Sequence, residues 1–162
     1  MLKVNAGVVA GKKLEKARAR IDALSKMLNA GDGARVAVGL PQDSTPYPDG
    51  TSVLMVGFWM EFGTKYSPER SFLRDSVLQY REQWIGLARK LQQKAIKESR
   101  PISDFLPVLG QQMQIDVQTK IDSGPWEPNQ GDYALWKQAE GKTKPLIVSG
   151  HLRASIRYVV RT

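Results

Sequence analysis

The chain has 162 residues, 41% hydrophobic and 25% charged, with no cysteine and one histidine, His151. Such a length suits one domain with a sizeable core. The missing thiols exclude disulfide frameworks, thiolate zinc sites, iron–sulfur clusters and thiol nucleophiles, and a lone imidazole excludes sites that need two. No apolar run approaches the roughly 18 residues that span a bilayer. The start, Met1 to Gly11, is apolar but too short and weakly charged for a signal peptide, so the expectation is a soluble intracellular protein without cofactor, metal or membrane partner.

The net charge of +8 is unevenly spread. Residues 1–34 carry seven basic and three acidic groups, and residues 61–100 carry nine and five, whereas 35–60 and 101–162 are near neutral. The excess therefore sits on two predicted helices. A basic helix face can meet phosphate, an acidic protein surface or only water.

From Lys12 to Ala30, Leu14, Ala17, Ile21, Leu24 and Leu28 fall at spacings of 3 and 4, one stripe of a helix. Lys12, Lys13, Lys16, Arg18, Arg20 and Lys26 occupy its other faces and are candidate docking or DNA-facing groups. This helix, within 1–34, reads as an N-terminal arm on an α+β domain of residues 35–162. Arg35 to Leu40 alternates with period two, placing Val36, Val38 and Leu40 on the buried side of a strand. Pro41 to Gly50 is a loop. The apolar run Val53–Phe62 reads as a short helix, with Thr51 or Ser52 to cap it and Gly63 to stop it.

The longest predicted helix runs from Phe72 to Glu98, about 40 Å. Its stripe is Leu73, Val77, Tyr80, Trp84, Leu87, Leu91 and Ala95, and Pro101 ends it. Ser103 is positioned to cap the next helix, with Phe105 or Leu106, Leu109, Met113, Val117 and Ile121 inward and Asp122-Ser123-Gly124 as its stop. These two helices should pair antiparallel. Pro125 to Pro145 reads as irregular, with one helical turn at Tyr133–Ala139. The segment 154–161 alternates again, with Ile156, Tyr158 and Val160 inward, and should pair with 35–40. The fold class is a single α+β domain, a small antiparallel sheet packed with long helices and preceded by an amphipathic one.

Catalytic templates find no match. Phosphate loops and dinucleotide fingerprints are absent. Ser149, Ser155 and His151 place hydroxyls near an imidazole, but no orienting carboxylate or nucleophile elbow accompanies them. The carboxylates, among them Asp43, Asp49, Asp116 and Asp122, lack acid/base or metal-ligand spacing. No enzyme is expected. Trp84 and Tyr80 belong to a helical core stripe, which favours packing over base stacking for the aromatics.

Two constellations carry more information. Glu61 would sit in the last turn of its helix, where a carboxylate is disfavoured by about 0.3–1 kcal/mol. A compensating cation is expected, and Arg70 or Arg74, on one face of the next helix, would supply it and fix the angle between the two helices. The second is Lys144 to Ile156, an extended lead-in, a turn at Gly150 and a strand, with Leu152 as buried anchor.

Together these segments resemble the neck and tail-component family of long-tailed bacteriophages, the small proteins of head–tail joining or tail completion. Glu61-Phe62-Gly63-Thr64 matches the family's helix end. Pro68, Arg70, Phe72, Leu73 and Arg74 match the Pro-x-Arg-x-Phe-Leu-Arg opening of a long helix. Lys144, Pro145, Leu146, Gly150, Leu152, Ser155 and Ile156 match the lead-in to the final strand, with Ser149 where threonine is usual. The resemblance implies a non-enzymatic virion subunit, assembled in the bacterial host cytoplasm as a homo-oligomeric ring of about six or twelve copies. Its partners would be copies of itself, neighbouring connector, tail terminator or tail-tube proteins, and non-specifically the packaged DNA. The N-terminal helix and the loops Pro41–Gly50 and Gly124–Lys142 are the candidate docking arms. The alternative expectation is a basic DNA-binding accessory protein of phage origin, acting through Lys12–Lys26 and Arg89–Arg100.

Overall fold

The computed structural model describes residues 14–22, 25 and 33–161. Lys12, Lys13 and Lys26 of the basic arm, with Leu24 and Leu28 of its apolar stripe, lie outside them. Residues 14–22 are helical, and Lys16, Arg18 and Arg20 are exposed there. So are Leu14 and Ile21, at 57% and 61% of their surface, which leaves this part of the stripe uncovered.

The alternating segments form two strands, β1 (Arg35–Gly39) and β2 (Arg157–Arg161). They pair antiparallel, Arg35 opposite Arg161 and Gly39 opposite Arg157, tying together the two ends of the domain. A two-stranded ribbon is not stable alone in water, and helices supply the missing layer. In chain order these are α1 (Val53–Phe62), α2 (Phe72–Glu98), a 3-10 turn (Ile102–Asp104), α3 (Leu106–Ser123), α4 (Gly131–Ala139) and the single turn α5 (His151–Ala154). The α+β class holds, with helix dominant.

Helix α3 is the central element. One side lies on the sheet at Gly110, where a β-carbon would overlap the Tyr158 ring and come within 2.9 Å of Val36. The Gln114 side-chain oxygen also accepts the Tyr158 backbone N–H at 3.1 Å. Its other side meets α2. Lys120 reaches Gln79 at 2.9 Å and Trp84 Nε1 donates to Asp116 at 2.7 Å, so residues late in α3 face residues early in α2 and the pair is antiparallel. Between them Trp84, Leu91, Ala95, Phe105, Leu109, Val117 and Ile121 are buried, as the stripes required; Leu73, Tyr80, Leu87 and Met113 are half-buried, Val77 is left 47% exposed, and Phe72, outside the expected stripe, is fully buried. Asp116 lies mid-helix and buried. Its carboxylate holds the Trp84 indole and the Gln112 amide, which makes it a core acceptor.

Three local expectations are corrected. Ser103 caps nothing: it lies within the 3-10 turn, and α3 begins at Leu106 with Pro107 in its first turn, where a missing N–H leaves no bond unmade. The last strand starts at Arg157, because residues 151–154 coil into α5, with the Ser155 hydroxyl donating to the His151 carbonyl at 2.9 Å. The stretch 125–145 contains a helix of nine residues, α4, and Trp136 sits on it.

Helix α4 is anchored by its lysine. Lys137 is only 1% exposed, and its ammonium donates to the carbonyls of Lys144, Pro145 at 3.1 Å and Ile147 at 2.9 Å. Three N–H donors meet three carbonyl acceptors, the condition for keeping an ammonium inside. Burial lowers its pKa from the ordinary lysine value, and repulsion from Arg70 and Lys142 adds to this.

Two glycines separate packing from propensity. Gly110→Ala is expected to cost about 1–3 kcal/mol, because α3 would have to lift off the sheet. Gly86→Ala, in α2 with open space around the added methyl, should stabilise by about 0.5–1 kcal/mol. Urea unfolding of both variants measures the opposite signs.

Candidate functional site

Helix α1 ends where α2 begins, and the chemistry of the site follows from how the two ends meet. A helix C-terminus carries unpaired carbonyls and a partial negative charge, and an N-terminus carries unpaired N–H groups and a partial positive one. Gly63, at φ 74°, turns the chain sharply out of α1. Its α-carbon lies so close to the returning backbone that a β-carbon would stand 3.0 Å from the Glu69 nitrogen. Thr64 and Ser67 then close a tight turn, with the Thr64 hydroxyl oxygen accepting the N–H groups of Tyr66 and Ser67 at 3.1 and 3.0 Å. The turn brings the Glu61 carboxylate to the first turn of α2.

There Glu61 accepts two backbone hydrogen bonds, from Leu73 N–H at 2.9 Å and Arg74 N–H at 3.0 Å, with only 6% of its surface exposed. These are the donors that a helix's own N-cap side chain ordinarily satisfies. Ser71, in the N-cap position, instead gives its hydroxyl to Glu69 at 2.6 Å. A glutamate from one helix thus caps the next. In the opposite direction, Arg70 N–H donates to the Met60 carbonyl at 2.7 Å, satisfying one of the last carbonyls of α1.

Of the two expected cation partners of Glu61, Arg74 forms a long ion pair with it at 4.0 Å, and its closer pair is with Glu69 at 2.9 Å. Arg70 turns away altogether. Buried to 2% exposure, its guanidinium donates to the Glu127 carbonyl at 3.0 and 2.9 Å, to Asn129 at 3.0 Å and to Ser67 at 3.3 Å. The N–H groups at the start of α2 hold Glu61 more closely than either arginine does. The arginine in turn fastens the segment after α3, so Gly124–Lys142 is bound to the body through Arg70 and Lys137.

The second constellation lies on the other side of α1. Leu146, Leu152, Ser155 and Ile156 are buried, Pro145 is half-buried, and Gly150 takes φ 76° to start α5. Leu152 is the anchor expected, packed 3.8 Å from where a β-carbon on Gly57 would lie. The His151 ring nitrogen Nε2 contacts the Thr45 carbonyl at 2.7 Å, and the ring lies edge-on to Tyr47. Ser149 and Ser155 bond only the backbone of His151, so neither hydroxyl is paired with the imidazole. Among the described residues no group of histidines and carboxylates is arranged to hold a metal ion, and no helix is long and apolar enough to cross a membrane.

What these contacts leave outside is apolar. Leu54, Met55, Phe58 and Phe62 form one stripe of α1 and are 38%, 49%, 58% and 56% exposed. With Leu40 and Leu73 they line an open groove of about 600 Å3. The Arg74 guanidinium stands 5.6 Å from the Phe62 ring centre at its rim. On the opposite flank Trp59, 39% exposed, faces Tyr133 and Trp136 across a second cavity of about 630 Å3. Compared with protein-family models, curated proteins and solved structures, the chain has no match.

Sequence reasoning found Glu61, Gly63, Arg70 and Leu152 but missed what Glu61 binds, and it missed Lys137 entirely. The signal for Glu61 was available, a lone charge in the run Val53–Phe62. For Lys137 there was none, since its acceptors are loop carbonyls. Glu61→Ala leaves two N–H groups unpaired and is expected to destabilise by about 2–4 kcal/mol. Glu61→Gln, which keeps one acceptor oxygen, should lose about half as much. Chemical denaturation of both variants beside Glu82→Gln, an exposed carboxylate on α2 away from the junction, checks the ranking.

Proposed function

We propose that this chain is a structural subunit of a bacteriophage neck, acting in head–tail joining or tail completion as a homo-oligomeric ring around the DNA channel, with no catalytic role. The observation that carries the reading is helix α1. A helix that is apolar all round belongs in an interior, yet α1 leaves Leu54, Met55, Phe58, Trp59 and Phe62 exposed on a single copy. Exposed apolar surface of this kind marks an interaction site. The Glu61 clamp holds that surface at a fixed angle, as a repeating contact requires. The motif order of Glu61–Thr64, Pro68–Arg74 and Pro145–Ile156 supports the placement in a phage neck, and these same residues build the clamp and the floor beneath α1.

A second reading, a basic DNA-binding accessory protein, draws support from Arg81, Arg89, Lys90 and Lys97, which are exposed on α2 and make no ion pair among the described residues. The two readings diverge in one set of measurements. Light scattering and negative-stain imaging of the purified chain are expected to give closed rings with a central hole. Phe58→Asp should give folded monomers with an unchanged far-ultraviolet circular dichroism spectrum, because the residue is 58% exposed. A wild-type monomer at all concentrations that binds duplex DNA with affinity falling steeply with salt would overturn the neck reading in favour of the accessory protein.

A further inference from the structure

The small sheet carries charge on one side only. Strand residues directly opposite one another point to the same face, and α3 packs on the face of Val36 and Tyr158. The other face therefore carries Arg35, Ala37 and Gly39 of β1 beside Arg161, Val159 and Arg157 of β2. Ala37, Val159 and all three arginines are exposed. Arg35 stands directly opposite Arg161, a like-charge pairing that weakens a ribbon, and Arg157 lies about 13 Å along the strand from Arg161. None of the three makes an ion pair among the described residues, and residues 33–42 and 154–161 contain no acidic residue. The buried and half-buried acids of α3 are engaged elsewhere, Asp116 with Trp84 and Asp122 with Arg153. Three guanidiniums thus share one strand-borne face at a cost to the sheet, facing an anion that the sheet does not supply.

A guanidinium fork matches carboxylate and phosphate alike, so the surroundings decide between them. Protein interfaces are centred on an apolar core with aromatic anchors, and this face offers only Ala37 and Val159. Single-stranded nucleic acid is held by aromatic stacking, and the one ring of the ribbon, Tyr158, lies on the α3 side. The backbone of a duplex asks for neither. It presents one charge per about 1.7 Å of its axis, a continuous anion on which three spaced guanidiniums find partners in any register. We propose that the outer face of the β1–β2 ribbon binds the phosphate backbone of duplex DNA through Arg35, Arg157 and Arg161, without reading sequence. This inference rests on the function proposed above for the presence of DNA beside the chain, and it assigns the contact to the ribbon instead of the basic faces of α2 or residues 14–22.

Fluorescence anisotropy of the full chain with a labelled duplex of about 30 base pairs, between about 50 and 200 mM salt, tests the assignment. Light scattering on the same samples reports assembly. Arg35→Gln, Arg157→Gln and Arg161→Gln combined are expected to weaken binding at least about tenfold and to flatten the slope of log affinity against log salt by about two units or more. Arg81→Gln, Arg89→Gln and Lys97→Gln combined remove the same charge from α2 and should bind within about twofold of wild type. Arg35→Glu sets a carboxylate opposite Arg161. It should raise the thermal midpoint by about 1–4 °C while weakening binding, a combination that misfolding does not produce. A loss in the α2 variant as large as in the ribbon variant would overturn the proposal. A wild-type chain that binds polyglutamate and no duplex would overturn it in favour of an acidic protein surface. Rings that bind no duplex would remove this inference and leave the neck subunit standing, whereas a chain that neither assembles nor binds would remove both.

Discussion

The fold around α1 turns on a buried carboxylate that spans two helices. Placed in the last turn of its own helix, Glu61 faces a partial negative charge that disfavours it; placed against the first turn of α2, it meets unpaired N–H groups and a partial positive charge that favour it. The second effect wins because it is made of two short charge-assisted hydrogen bonds, each worth about 1.5–3 kcal/mol, against a dipole cost below about 1 kcal/mol. The angle between α1 and α2 follows, since bidentate acceptance at 2.9 and 3.0 Å leaves little freedom in how one helix end addresses the other. The sharp turn at Gly63 is the covalent condition for this, and the Arg70 N–H on the Met60 carbonyl closes the junction from the opposite side.

Around that junction the buried cations serve the backbone. Arg70 gathers Glu127, Asn129 and Ser67, and Lys137 gathers the three carbonyls of Lys144, Pro145 and Ile147. Both are in the interior, where an unpaired charge is costly, and each is held by oxygen acceptors. Their effect is to press α4 and the chain that follows it against the same side of α1 that Leu146 and Leu152 support. Helix α1 is therefore braced from below and at its end, while its outer stripe is left bare. The chain maintains a rigid apolar surface in water, and internal stability does not account for it, because Phe58 and Phe62 contribute little to a core they scarcely touch.

Much of this was legible in the residues. The stripe of α2 from Trp84 to Ala95, the stripe of α3 from Leu109 to Ile121, the Gly63 stop and the pairing of 35–39 with 157–161 all follow from periodicity and from residues that punctuate helices, which are local properties. Glu61 was legible as an anomaly but not as a cap, because sequence shows a carboxylate near its own helix end and does not show which end of another helix it will face. Arg70 or Arg74 is the obvious answer by charge, and the closer partners are N–H groups at a helix start, which carry no residue letter. Lys137 was illegible for a related reason: its ligands are carbonyl oxygens, which every residue has. Helix α4 was underestimated at one turn because Gly131 and Gly141 crowd its ends and its exposed face carries Tyr133, Leu135 and Trp136, so no clean apolar stripe marks it.

A bare apolar stripe is a hazard as well as a contact, since it invites association of every kind. What makes the difference between a specific subunit and an aggregating one is whether the surface has a single favourable occupant in a single orientation. Here the clamp fixes the groove, and its rim includes a guanidinium, Arg74, held between Glu69 and the Phe62 ring. A strongly acidic or randomly apolar partner gains from one part of that surface and loses on another.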